Sequence, residues 1–181
     1  MKGMVFTELL SMAEHALGED AVDDILDTLA LDSDGAYSAV GNYPCGELMR
    51  IVGAISEQTA IPVPDLQRQF GQWVHGRFVE GYPGFFADKP NALAMLDAIE
   101  NEVHVEVRKL YPDAELPVFE VEWHGTRALT MTYRSERPLV PFCHGMIEAC
   151  VAHFGEPAEI AVTEFGDAAA RAARFHVRLT G

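Results

Sequence analysis

The sequence predicts an α+β fold: a helical N-terminal part followed by a ββαββ antiparallel-sheet part. Three observations predict it. Apolar residues recur at three- and four-residue spacing through the first two thirds of the chain. From residue 118 onward the apolar period falls to two, the spacing of half-buried strands. A further helical segment, 140–154, separates the two pairs of alternating segments, an order that fits helices packed on one antiparallel sheet.

Residues 5–17 place Val5, Leu9, Met12 and Ala16 at helical spacing before Gly18 stops the pattern. A short helix is predicted over 21–31, then a loop over 32–44 rich in Asp, Ser, Gly and Tyr. Residues 46–59 are helical until Ile61-Pro-Val-Pro64 breaks the pattern, and 65–79 are helical again until Gly81-Tyr-Pro-Gly84. The longest helix is predicted over 91–110, closed by Tyr111-Pro112, with a stripe of Leu96, Ile99, Val103, Val107 and Leu110. Residues 118–123 and 127–133 alternate on either side of His124-Gly125 and form a hairpin. Helix 140–154 carries Pro141 in its first turn. Strands over 159–165 and 174–179 flank a turn at Gly166-Asp167. No repeat, low-complexity tract or linker interrupts the chain. The expectation is one domain over 1–181, helical over about 1–60 and α+β over about 61–181.

Composition narrows the function. A chain of 181 residues can bury roughly 70% of its unfolded surface, enough to enclose a large planar cofactor. Against 13 Lys and Arg stand 28 Asp and Glu, a net charge of −15 that repels phosphate backbones and argues against nucleic acid. This charge keeps the chain in solution, and its sharper use is an acidic face for a basic partner protein. The three cysteines, Cys45, Cys143 and Cys150, show no CxxC spacing, which predicts free thiols in a reducing compartment; no CxxCH provides for covalent haem. The N-terminus lacks the basic start of a signal peptide and no apolar run reaches bilayer length, so a cytoplasmic protein without a membrane segment is expected.

Seven histidines are present but none forms HExxH, and GxGxxG, GxxxxGK[ST] and GxSxG are absent. A generic enzyme reading therefore has no anchor. His104, in Glu102-Val-His-Val-Glu106, lies one position off the apolar stripe of its helix; periodicity alone makes it a partly buried or surface histidine. Tyr133, Ser135 and Arg137 alternate on one side of an extended segment. A phenol, a hydroxyl and a guanidinium together suit a carboxylate, which Arg can bind with both arms of its fork, although solvated residues at a strand end have the same pattern.

His104 on a helix, then Pro117, then Tyr-x-Ser-x-Arg at a strand end, together resemble the haem-nitric oxide/oxygen-binding (H-NOX) family, the haem domain type also found in soluble guanylate cyclase. The resemblance spans the chain, from Met1-Lys-Gly3 through Phe70-Gly71 to Gly145-Met-Ile-Glu148. It implies a fold enclosing a non-covalent b-type haem, with His104 as the proximal iron ligand, Tyr133, Ser135 and Arg137 as the propionate clamp, and Pro117 pressing on the porphyrin. Neutral imidazole is a good iron ligand, and propionates at low dielectric need donors.

The resemblance also implies a distal lining of Val5, Leu9, Val74, Phe142 and Met146, with Phe142 where oxygen-binding members carry a tyrosine. Bound oxygen takes on negative charge and gains from a donor, whereas nitric oxide needs none. An apolar lining therefore predicts a nitric-oxide sensor, also open to carbon monoxide, that holds no stable oxygen. Trp73 and His75 are the nearby donors that would upset this assignment. In the family, nitric oxide weakens or breaks the bond from iron to the proximal histidine and so links two global states. Partners of stand-alone members are histidine kinases and cyclic-di-GMP enzymes. Some members hold zinc with three cysteines and a histidine; here only Cys143, His144, Cys150 and His176 are candidates, and free thiols are the plainer reading. Two other functions remain open on the residues alone: a haem-dependent peroxidase or oxygenase, and a haem-free module for a small apolar ligand.

Overall fold

The structure, a computed structural model, describes residues 1–166 and 171–181. The helical part begins with α1 (Gly3–Leu17), α2 (Glu19–Asp27), α3 (Cys45–Thr59) and α4 (Val63–Gly81). Each turns an apolar stripe toward one cluster: Phe6, Leu9 and Ala13 from α1, Leu48, Ile51 and Ile55 from α3, Leu66, Phe70 and Val74 from α4. The loop between α2 and α3 is held by the fully buried Glu47. Its carboxylate accepts from Asp32 N at 2.9 Å, Ser33 Oγ at 2.7 Å and the Tyr37 hydroxyl at 2.7 Å. Burial pushes the Glu47 carboxyl up, but these donors outweigh it and hold the group below its ordinary value.

After α4 come a single turn, α5 (Gly84–Ala87), and then α6 (Ala92–Ala98), a π turn (Ile99–Val103) and α7 (His104–Leu110). The sequence predicts one continuous helix here. Instead, the His104 N–H reaches back to the Ile99 carbonyl, five residues away, and the wide turn inserts an extra position. One added residue rotates the downstream turns by about 100°. The predicted stripe therefore holds through Leu96 and fails after Val103: Leu110 is 65% exposed, and His104 turns inward to 8% exposure.

Strands β1 (Val118–Trp123), β2 (Ala128–Ser135), β3 (Ala158–Gly166) and β4 (Arg171–Leu179) form one antiparallel sheet in the order β1-β2-β4-β3. Alternation sets the inner face: Leu129, Met131 and Tyr133 on β2, Ala173, Phe175 and Val177 on β4. The predicted turn at Gly166-Asp167 falls partly on residues 167–170, which lie outside the described residues. Helix α8 (Val140–His153) connects β2 to β3. It is apolar on opposite sides and serves two cores, with Cys143, Ile147 and Cys150 toward the sheet and Phe142 and Met146 toward the N-terminal cluster. Helices α4 and α8 cross with their backbones in close approach. A Cβ at Gly71 would lie 2.1 Å from the Phe142 carbonyl oxygen, and one at Gly145 would lie 1.9 Å from that of Arg68. No helix among the described residues is long and apolar enough to cross a membrane.

Candidate functional site

The π turn delivers His104 to the interior. Its ring lies 5.6 Å from that of Phe119 at the start of β1, centroid to centroid. Nδ1 donates to Glu100 Oε2 at 3.0 Å, while Nε2 has no hydrogen-bond partner among the described residues. Burial lowers the His104 pKa and outweighs the opposing pull of Glu100. Burial raises that of Glu100, but hydrogen bonds from Arg108 and His104 and from the Phe119 N–H bring it below the ordinary value. The result is a neutral imidazole beside an ionised carboxylate, with one ring nitrogen anchored and the other holding a free lone pair. That is the chemistry of a metal ligand, and it fits a haem iron. Sequence reasoning missed Glu100. The available signal was the spacing of Glu100, His104 and Arg108, four apart, which stacks side chains on one helix face.

Tyr133 is buried inside β2, opposite Phe119 in the register, and burial above all raises its pKa to about 12. Ser135 is half-buried at the strand end, and its hydroxyl accepts the Arg137 N–H at 3.1 Å. Arg137 lies past the strand, its guanidinium donating to the Glu115 carbonyl at 2.6 Å and to the Glu115 carboxylate at 2.5 Å. Because Glu115 is 82% exposed, its ion pair is cheap to exchange for another carboxylate. Donors of this kind fit propionates. Pro117 is half-buried, one residue before β1.

Val5, Leu9, Val74, Phe142 and Met146 all belong to the N-terminal apolar cluster, where Phe142 packs on Phe70 at 5.1 Å. Of the two side chains that threatened this assignment, Trp73 packs on the same cluster with its N–H taken by an acceptor, and His75 packs on Phe86 of the other cluster. Trp73 donates to Glu8 at 3.0 Å. His75 lies against Phe86 at 5.4 Å and His153 at 6.0 Å, beside an open groove of about 700 Å³ between α4 and α8 that contains none of the candidate residues.

Nε2 of His75 is buried without a partner, and burial, then His153, lowers the pKa of this histidine from 6.5 to about 4. Below pH 6.5 the unfolded chain takes up a proton that the folded one refuses until about pH 4. Stability therefore falls as pH drops through that window, on the order of 2 kcal/mol by its lower end. Urea unfolding of wild type and His75→Phe between pH 7 and 4.5 should show the shallower loss in the variant; parallel losses would remove His75 as the cause.

Cys143 and Cys150 are buried between α8 and the sheet, and burial raises both thiol pKa values, Cys150 to about 12. His176 lies with His124 and Thr130 on the opposite, exposed face of the sheet. Cys143, His144, Cys150 and His176 are thus not brought together, and no group of three or more metal-ligating side chains occurs among the described residues.

The family model described as Haem-NO-binding matches residues 2–162. Among solved structures, the unliganded Fe(II) H-NOX protein from K. algicida is 34% identical, with a TM-score of 0.92, covering 100% of this chain and 97% of that one. A mutant of the same protein, also unliganded and Fe(II), is 35% identical at the same TM-score and coverage. The H-NOX protein from S. oneidensis in its Fe(II)NO state shares the fold, with a TM-score of 0.90 at 22% identity and full coverage of both chains. No curated protein matches the chain. A buried histidine with a free ring nitrogen, a cluster of carboxylate-binding donors and a match along nearly the whole length have one common account: the chain belongs to the H-NOX family of haem-binding gas sensors.

Proposed function

We propose that this protein is a nitric-oxide sensor that signals to a separate partner and catalyses no reaction itself. The observation that carries the reading is His104, buried, anchored through Nδ1 and unpartnered at Nε2 among the described residues. His104 would hold the haem iron, Tyr133, Ser135 and Arg137 would bind the propionates, and Pro117 would press on the porphyrin. Ferrous haem supplies a site at which nitric oxide and carbon monoxide bind. Val5, Leu9, Val74, Phe142 and Met146 would line the gas side. None of these five carries a donor, so they would withhold the hydrogen bond that favours oxygen. Peroxidase or oxygenase chemistry needs polar groups on that side; the sensor reading is supported by the Trp73 N–H being taken by Glu8 and by His75 packing on Phe86. The partner proposed is a histidine kinase or a cyclic-di-GMP enzyme in the cytoplasm, with the whole chain acting as one unit; the acidic charge suits a basic docking face.

The test is the absorption spectrum of the haem-loaded ferrous protein under argon, after brief exposure to air, and with nitric oxide. The expected result is no change in air and a new spectrum with nitric oxide. Phe142→Tyr should then respond to oxygen, as a phenol adds the missing donor. A wild-type spectrum that changes stably in air, or a Phe142→Tyr variant that gains no oxygen affinity, would count against the gas-side assignment.

A further inference from the structure

His104 is one member of a network centred on Glu100. Glu100 Oε2 accepts from His104 Nδ1 at 3.0 Å and from the Phe119 N–H at 3.2 Å. Glu100 Oε1 accepts from Arg108 at 2.7 Å. The carboxylate sits within the π turn, whose wide closure keeps positions 100 and 104 on one face. It is three-quarters buried, whereas Arg108 is 43% exposed.

We propose that Glu100 is the positioning residue for His104, setting how strongly the imidazole donates to the haem iron and tying the imidazole to strand β1. The proposal rests on His104 being the iron ligand. A carboxylate on Nδ1–H fixes the tautomer and ring plane and gives the imidazole partial anionic character, which strengthens its bond to a metal at Nε2. Arg108 opposes this by drawing charge toward the other oxygen of the same carboxylate. The two neighbours of His104 therefore act with opposite sign. Because the imidazole and the Phe119 N–H share one oxygen, displacement of the ring is felt at Phe119, two residues from Pro117. Glu100 thus offers a mechanical route from the iron ligand to the sheet that passes through no apolar contact.

The experiment is resonance Raman spectroscopy of the haem-loaded ferrous full chain, reading the iron–histidine stretching frequency in wild type, Glu100→Gln and Arg108→Ala. Glu100→Gln should lower the frequency and speed haem loss about 10-fold, while Arg108→Ala should raise the frequency. Gln keeps an acceptor for the Phe119 N–H, and circular dichroism checks folding. Should Glu100→Gln not fold, Arg108→Ala carries the test alone, because Arg108 lies at the surface. A wild-type stretch at a frequency that the folded variants leave unchanged overturns the proposal and spares the haem reading. A haem-loaded wild type with no iron–histidine stretch overturns both.

Discussion

His104→Gly is expected to weaken haem retention by about 100-fold or more, because loss of even an outer partner of a metal ligand costs about 10- to 100-fold. The ring is nearly inaccessible and its Nε2 is unpartnered among the described residues, so no neighbouring side chain stands ready to replace it. Added imidazole should enter the space left by the side chain, restore haem binding and return a histidine-like ferrous spectrum. On the family mechanism, in which nitric oxide weakens or breaks the bond from iron to the proximal histidine, the variant without imidazole should imitate the nitric-oxide state in a partner assay. Haem release rates and ferrous spectra, with and without imidazole, check the ligand assignment. A His104→Gly variant that keeps haem with wild-type kinetics would reduce His104 to a core residue. One that keeps the unliganded signal would refute signalling through this side chain.

Gly145→Ala is expected to destabilise the fold by about 3 kcal/mol, at the upper end of overpacking costs. Its Cβ would lie 1.9 Å from the Arg68 carbonyl oxygen, and that oxygen is backbone of α4, so the helices themselves must separate. Separation also moves Val74 on α4 away from Phe142 and Met146 on α8, so the proposed gas side should open as the fold loosens. Gly53, inside α3, is the control. Nothing lies within 4 Å of a Cβ there, and Ala in place of a helical Gly gains up to about 1 kcal/mol. Urea midpoints should therefore move in opposite directions for the two variants. Equal midpoints for Gly145→Ala and wild type would mean that the crossing relaxes without cost.

Much of this molecule was legible in one dimension. The β1 boundaries, Val118–Trp123, follow from alternation alone, and α8 from its apolar run with Pro141 in the first turn. The order of helices and strands, and hence the α+β class, needed nothing more. The Tyr133, Ser135 and Arg137 set was legible as donor chemistry, but not its present partner Glu115, which comes from the segment before β1. The turn α5 was missed because four residues are too few to show a period.

The sequence by itself determined the periodicities, the acidic charge, the donor types and the apolar character of the five residues proposed to line the gas side. These are local or additive properties, and each is present in the unfolded chain. Tertiary structure decided which groups meet. It collected Val5, Leu9, Val74, Phe142 and Met146 from three helices into one cluster, gave the Trp73 N–H to Glu8, set His75 against Phe86, and buried Glu47 beneath the donors of the loop before it. Above all it decided the direction of His104. A straight helix would leave this histidine at the flank of the stripe. The π turn costs regular hydrogen bonding, and packing against Phe119 and Glu100 offsets that cost only once β1 lies alongside. A 3.6-residue period cannot encode that rotation, because it depends on a strand that lies more than ten residues downstream in the sequence.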